Sequence, residues 1–383
     1  MRAKKQKKVI TLVVDPLPSG FSVQMTFLKS VIEILGDKYD LSVYSNYFSQ
    51  DKKKELIELG LRVVEKKGGF ISKILKNLLF PHLNESLLWS LNWFFDALEI
   101  SRLNFSDKSE FSDTDYVIDL SATVMPKSDI WWIQGPPFYE VVESMSSSNI
   151  FIKFFFRLFD HKLKRTSINI INEKSRRTKQ MVAVSNYIKS IYRSYGIIIP
   201  YVVHSSQNFN SFNPCMPVGK EEYVLTYIGK ETDTEALIEA AKLGINIVGF
   251  GSKIPPGMGL QKLKKHITFL GQVSNEELIK LYSGAKFFAF PFTNEPFGVT
   301  PIESMLCGVP VLTYNKEGPA ETVIDGKTGW LVNSREDFVQ KAHHLWMSPD
   351  LDIDPKICVK RGSELRLKYQ IDKLIDIMVS VTA

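Results

Sequence analysis

The sequence predicts an α/β protein of the doubly wound kind, and two observations carry that expectation. Short β-rich runs alternate with amphipathic helical stretches along the chain. Two distant segments also open in the same order. Val9 to Val14 reads as a buried strand, Asp15 to Ser22 as a Pro/Gly loop, and Gln24 to Leu35 as a helix closed by Gly36, before a strand from Leu41 to Tyr44. About 210 residues later, Tyr223 to Ile228, Gly229 to Thr234, Glu235 to Leu243 with Gly244, and Ile245 to Val248 repeat that order. Glycine just past a helix is the residue expected to take a left-handed C′ position. The repeat predicts two similar Rossmann-like domains in tandem, residues 1–205 and 218–360, facing each other across a cleft. Between them, Ile199 to Lys220 is turn-rich, with Pro200, Pro214, Pro217 and Gly219. Residues 361–383 read as a C-terminal helix that packs back on the N-terminal domain.

The chain has 383 residues, 44% hydrophobic and 12% aromatic, enough to bury more than one sizeable core. That composition excludes a disordered chain, a collagen-like repeat and a small disulfide scaffold. Cys215, Cys307 and Cys358 are odd in number, widely spaced and form no C-x-x-C, which points to a reducing compartment and away from structural zinc. The six histidines form no metal-ligand spacing, so neither a metal nor a cofactor is expected. No apolar run approaches the roughly 18–20 residues of a spanning helix. The basic start followed by Val9 to Val14 ends at Asp15-Pro16 and reads as a first strand, not an export signal. A cytoplasmic location, with peripheral membrane contact, is the resulting expectation.

Charge is unevenly spread. Phe151 to Lys179 holds nine basic residues (Lys153, Arg157, Lys162, Lys164, Arg165, Lys174, Arg176, Arg177, Lys179) against Asp160 and Glu173, a net +7 where the whole chain carries +6. Aromatic-rich stretches at Phe70 to Ile100 and Asn149 to Phe159 accompany it. Aromatics beside Lys and Arg suit an anionic lipid surface; core-facing helices with a solvated basic side are the other reading. No nucleic-acid-binding module accompanies the patch, so nucleic acid is not an expected partner.

The block from Ala285 to Thr313 is the richest in chemistry. A buried strand (Phe287 to Phe290) leads into a loop (Pro291 to Val299), a helix opening at Thr300-Pro301 and ending at Gly308, and a strand from Val309 to Thr313. Ligands of parallel sheets bind beyond the carboxyl ends of the strands, where this loop lies. Exposed amides near Val299 and Thr300 at the helix start suit an anionic group such as a diphosphate. Glu303 matches a capping box with Thr300 as N-cap and Pro301 at N1. Glu295, between Asn294 and Pro296, has no evident fold role and is either a solvated loop charge or a ligand contact.

Glu295-Pro-Phe-Gly-Val-Thr-Pro-Ile-Glu303 resembles the E-x7-E motif of retaining glycosyltransferase family 4, enzymes of the two-domain GT-B fold. Phe269 to Leu278, Gly308-Val-Pro-Val311, Gly318-Pro-Ala-Glu-Thr-Val323 and Asp325 to Val332 resemble the same family in the same order. Close similarity covers roughly Tyr223 to Val332. The resemblance implies a metal-independent hexosyltransferase using a nucleotide sugar. Glu295 would bond the donor sugar's hydroxyls near the reacting carbon, and Glu303 the nucleotide ribose. Phe297, Gly298, Val299 and Thr300 would line the sugar and diphosphate, with the Gly20 loop opposite. Ser185 matches a family position near the donor; its other reading is a cap for the helix from Asn186.

Two departures from the pattern stand out. The family's diphosphate-gripping Arg and Lys are represented by Lys230 alone, a point charge without a bidentate fork; Lys253 is a basic residue that would complete the grip. The family's donor-facing His is replaced by Gln134, which can hydrogen-bond a sugar but cannot exchange a proton. Glu295 and Gln134 are thus the candidate catalytic residues, in a front-face mechanism where the departing phosphate takes the acceptor's proton. Three other patterns fail on context: the D-x-D of Asp113 and Asp115, Gly326-Lys-Thr328 as a P-loop end, and Gly249-Phe-Gly251 as a dinucleotide fingerprint. The donor is read as UDP-glucose with GDP-mannose as rival, and the acceptor as a lipid-linked glycan. The alternatives are a soluble acceptor or a catalytically silent sugar-nucleotide-binding subunit.

Overall fold

A computed structural model describes residues 7–15, 17, 23–45, 48–65, 111, 113–122, 124–137, 139, 150–206, 211–214, 222–229, 231–251 and 260–381. The chain divides into two units. The first comprises Met1–Val184, Ile188–Val203 and Ile371–Ala383, and the second Ser185–Tyr187 and His204–Gln370.

In the first unit, β1 (Val9–Val13), α1 (Val23–Leu35), β2 (Asp40–Ser45), α2 (Gln50–Glu58) and β3 (Arg62–Glu65) are followed by β4 (Tyr116–Asp119) and β5 (Ser128–Ile133). Then come α3 (Ile150–Arg177), β6 (Thr178–Ala183), α4 (Asn186–Ser194) and β7 (Tyr201–Val202). The strands pair in parallel in the order β3-β2-β1-β4-β5-β6-β7. Every residue of β5 is buried, as a strand covered on both faces requires. Its two indoles satisfy their N–H groups inside the core, Trp131 to the Ser121 carbonyl at 3.2 Å and Trp132 to that of Val203 at 2.9 Å.

The second unit runs β8 (Val224–Tyr227), α5 (Thr234–Lys242), β9 (Ile247–Phe250), α6 (Leu260–Lys264), β10 (Thr268–Gly271), α7 (Asn275–Gly284) and β11 (Phe288–Phe290). It continues through α8 (Val299–Leu306), β12 (Val311–Tyr314), α9 (Pro319–Thr322), β13 (Gly329–Val332) and α10 (Arg335–Met347) to α11 (Pro355–Glu364); α12 (Leu367–Ser380) starts here and passes into the first unit at Ile371. Its sheet is parallel in the order β10-β9-β8-β11-β12-β13. Leu237 of α5, Phe338 of α10 and the sheet residues Ile247, Leu312 and Trp330 share one core. Side chains cap the helices as their sequences indicate: Asp233 accepts from Ala236 N–H at 3.3 Å, Ser274 from Glu277 N–H at 3.2 Å and Ser334 from Asp337 N–H at 3.0 Å.

Three expectations are corrected. Gly244 takes the left-handed conformation after its helix (φ 87°), but Gly36 does not; its N–H instead returns to the Ile32 carbonyl at 2.8 Å. The stretch from Lys360 to Val379 is two helices, because α11 ends at Glu364 and Leu365 closes it with N–H bonded to Gly362 O. Lys174 does not belong to a solvated basic side. It lies on the buried stripe of α3 formed by Leu163, Thr166, Ser167, Ile170 and Ile171, spaced as one helical face demands. There its ammonium pairs with Asp119 at the end of β4, donates to Val124 O at 2.6 Å and Ser121 Oγ at 3.2 Å, and lies 4.9 Å from the Trp131 ring centroid. Other charges of that stretch are also paired, Arg177 with Glu173 at 2.6 Å and Lys179 with Asp129 at 2.8 Å. The aromatic stretch at 70–100 and the side chains of 149–159 lie outside the described residues. No helix among the described residues is long and apolar enough to cross a membrane.

Candidate functional site

In the second unit, β8 leads to β9 and β10 on one side and β11 to β12 and β13 on the other, so the topological switch point lies between β8 and β11. The loops that leave the carboxyl ends of those strands meet there. Thr232, after β8, bridges Phe292, after β11, and the Tyr227 and Phe292 rings stack at 5.7 Å.

The loop after β11 is held in a single shape by contacts at each residue. Asn294 is left-handed (φ 59°), and the Glu295 N–H donates to Glu317 Oε2 at 2.8 Å. Gly318 N–H returns to the Glu295 carbonyl at 3.0 Å. Gly318 must be glycine, because a Cβ there would stand 2.3 Å from the Phe297 backbone. Glu295 Oε1 accepts the N–H groups of Phe297 at 3.3 Å and Gly298 at 3.0 Å. Gly298, left-handed at φ 91°, is the N-cap of α8. Having no side chain, it returns no hydrogen bond to the first-turn amides of Val299 and Thr300, which leaves the helix's positive end available to an anion.

This corrects the capping box. The helix opens at Val299, not Thr300, so Thr300 is its second residue and Glu303 lies beyond the first turn. Glu303 instead accepts the Tyr282 hydroxyl at 3.0 Å. Glu295 is likewise more than a solvated charge, being half-buried and bonded to its own loop.

Electrostatics set these two carboxyls apart. Loss of water pushes Glu295 up to about 7, against the pull of the Gly298 and Phe297 amides, with the charges of Glu231 and Glu317 adding to the rise. Burial also pushes Glu303 up to about 7, opposed by the Tyr282 hydroxyl. Among the described residues no Lys or Arg pairs with either. Tyr227 is raised by burial and then by the charges of Glu231, Glu295 and Glu303.

The other sequence candidates are distributed as follows. Phe297, Gly298, Val299, Thr300 and Glu303 are brought together with Glu295. Ser185 belongs to this unit too, its hydroxyl donating to the Pro296 carbonyl at 2.6 Å. The opening amides of α4 are met by Glu321, which accepts from Asn186 N–H at 2.9 Å and Tyr187 N–H at 2.8 Å. Gln134 belongs to the first unit, where its side-chain amide donates to Trp132 O at 3.3 Å. Gly20, Lys230 and Lys253 lie outside the described residues. Of the D-x-D pair, Asp115 accepts the Val9 N–H at 2.8 Å and Asp113 pairs with Arg62 at 3.2 Å, both tasks of the fold. The sequence assigned no role to Tyr282, Glu317, Glu321 or His204. Tyr282, with Leu281 and Ala285, and Glu321, in Gly318 to Val323, both lie in stretches that resemble the family, while His204 lies in a turn-rich stretch that offers no spacing signal.

Two parallel Rossmann-type units, each with one reversal of strand order, have the architecture of the GT-B fold. Solved structures of that fold extend over nearly the whole chain. Sucrose-phosphate synthase from Thermosynechococcus elongatus aligns with TM-score 0.63 at 16% identity, over 98% of this chain and 100% of that one. Anabaena HepE in complex with UDP and glucose aligns at 0.60 and 14%, over 97% and 99%. At such identities the likeness speaks for the fold. Residues 260–356 match the family described as glycosyl transferases group 1. The alpha-1,3/1,6-mannosyltransferase alg-2 of Neurospora crassa is 48% identical over 65 residues, 17% of this chain and 14% of that protein. The matched stretch therefore spans far less than two thirds of that relative's length.

Proposed function

We propose that this protein transfers a hexose from a nucleoside-diphosphate sugar to a glycan, with retention of configuration. The observation that carries this reading is the pairing of Glu295 and Glu303 with the open N-terminus of α8 at the switch point of the second sheet. The diphosphate would lie against the Val299 and Thr300 amides, where the helix dipole favours negative charge. Glu295 would accept sugar hydroxyls close to the anomeric carbon and Glu303 those of the ribose. In the transfer step the acceptor oxygen bonds to the anomeric carbon as the bond to the phosphate oxygen breaks. The departing diphosphate takes the acceptor's proton on the same face. No protein base or metal is assigned a part, and Gln134 can serve only as a hydrogen-bonding group.

The acceptor in this reading is a glycan on a membrane lipid, reached from the cytoplasmic face. Its support is the aromatic sequence of residues 149–159 followed by the exposed Lys162 and Arg165. UDP-glucose and GDP-mannose are the leading donors, the second favoured by the stretch shared with the fungal mannosyltransferase. The test is a turnover assay with UDP- and GDP-sugars, with and without a lipid extract, following nucleotide release and label in the lipid phase. Label entering lipid with one donor is the expected result. Label confined to soluble glycans would replace the acceptor, and donor binding without turnover on any acceptor would favour a silent subunit.

A further inference from the structure

The block Gly318 to Val323 has no task in the transfer reaction as described, yet its glutamate is heavily engaged. Glu321, on α9, takes hold of a segment more than 130 residues away in sequence. Its Oε2 accepts from the Asn186 backbone N–H and side-chain amide, each at 2.9 Å, and its Oε1 from the Tyr187 N–H at 2.8 Å. These are the opening amides of α4, whose dipole favours a carboxylate. The same Oε2 lies 3.8 Å from His204 Nε2. Burial works against the charge, but His204 and the two N–H groups outweigh it and hold the Glu321 carboxyl below the usual range. From the other side Arg361 anchors α9, donating to Glu321 O at 2.8 Å and Thr322 O at 3.0 Å.

The segment that Glu321 holds and the His204 ring beside its carboxylate both touch the residues that follow Glu295. With the opening amides of α4 held by Glu321, the Ser185 hydroxyl is directed to the Pro296 carbonyl at 2.6 Å. The His204 ring stacks on Phe297, centroids 4.8 Å apart and planes 25° from parallel. Phe297 and Gly298 in turn supply the two N–H groups that aim the Glu295 carboxylate. The links run Glu321 to Asn186–Tyr187 and His204, then to Pro296 and Phe297, then to Glu295.

We propose that Glu321 is a positioning residue for Glu295, acting through Ser185 and His204 on the Pro296–Gly298 backbone. Its importance for transfer rests on the functional reading above; the positioning itself does not.

The test uses the full chain with Glu321→Gln, which keeps the size of the side chain but turns a donor toward amides that need an acceptor. The Glu295 carboxyl is followed by NMR in protein carrying 13C-labelled glutamate, its signal assigned by its loss in Glu295→Gln. Loosening the Phe297 and Gly298 amides is expected to raise the Glu295 midpoint by roughly half a pH unit. With the donor found active in the panel, kcat is expected to fall about tenfold while donor KM changes less than threefold, as a misaimed group demands. Ser185→Ala, which releases Pro296 while leaving the Glu321 bonds to Asn186 and Tyr187 in place, is expected to shift Glu295 in the same direction and carries the test should Glu321→Gln not fold. A wild-type Glu295 titration in the folded variants overturns the proposal whatever the protein turns over. A shifted titration in a protein inactive with every donor would instead overturn the functional reading and leave the positioning role standing.

Discussion

The two units solve the same topological problem with opposite electrostatics. Each sheet reverses its strand order once, between β1 and β4 in the first and between β8 and β11 in the second. Past the end of β4 the Asp119 carboxylate meets Lys174, the Ser121 N–H at 2.9 Å and the Ser121 hydroxyl at 2.6 Å. Burial drives that carboxyl upward, and Lys174, then Ser121, pull it back. Past the end of β11, Glu295 and Glu303 receive amides and a phenol but, among the described residues, no cation. One switch point is neutralised from within and serves the fold. The other keeps an unspent demand for hydrogen-bond donors, which a sugar and a ribose can meet. Identical topology carries no chemistry by itself; the partners supplied to the carboxylates decide it.

The largest expected effect tests the first half of that contrast. Lys174→Met leaves Asp119 buried without its cation and is expected to cost about 3–5 kcal/mol in urea unfolding, most of it recovered when Asp119→Leu is added. A loss below about 1 kcal/mol would break the comparison. Next comes Glu295→Ala, expected to slow transfer about 100- to 1,000-fold, or about 2.7–4 kcal/mol, while the urea midpoint at pH 8 stays level or rises. Unchanged turnover would remove Glu295 from the reaction. Tyr282→Phe deletes the hydroxyl that orients Glu303 and is expected to weaken donor binding about tenfold by calorimetry, about 1.4 kcal/mol.

The smallest effect is a slope. Glu295 and Glu303 carry folded values near 7 against 4.5 when unfolded, so between those values the folded state holds protons that the unfolded state has released. Their contribution is therefore fully present below pH 4.5 and lost as pH rises through 7, about 1 kcal/mol per pH unit for each in that window. Urea midpoints measured from pH 5 to 8 should fall, and Glu295→Gln with Glu303→Gln should flatten the decline.

The elements of the second unit were largely legible because their periods and punctuation agree. Val224–Tyr227, Thr234–Lys242 with Gly244 behind it, and Ile247–Phe250 fall within two residues of the positions expected from sequence. The Glu295–Glu303 block stood out as a candidate site through its resemblance to the E-x7-E motif, with its placement after a buried strand in agreement. What failed was local chemistry overruled at a distance. Thr300-Pro301 has the composition of a helix start, but Gly298 turns left-handed to give its N–H to Glu295, and the N-cap falls two residues before Thr300. Ser185 precedes a helix, but its hydroxyl donates to Pro296, and the Asn186 N–H beside it goes to Glu321, 135 residues away. Lys174 disappeared into a count of positive charges although its spacing from Leu163, Ile170 and Ile171 marks the inward face of α3. Reading charge by helical position rather than by sum would have found it.

The second unit owns a strip of chain that sequence order assigns elsewhere: Ser185–Tyr187 belongs with it although Ile188–Val203 returns to the first. This has a consequence for recombination. A chimaera joined at a single splice near residue 204 would inherit Pro296 and Glu321 from one parent and their partners Ser185, Asn186 and Tyr187 from the other. Donor halves of such proteins are therefore not interchangeable cassettes. A productive graft needs two junctions, or parents that already agree at three residues outside the piece being exchanged.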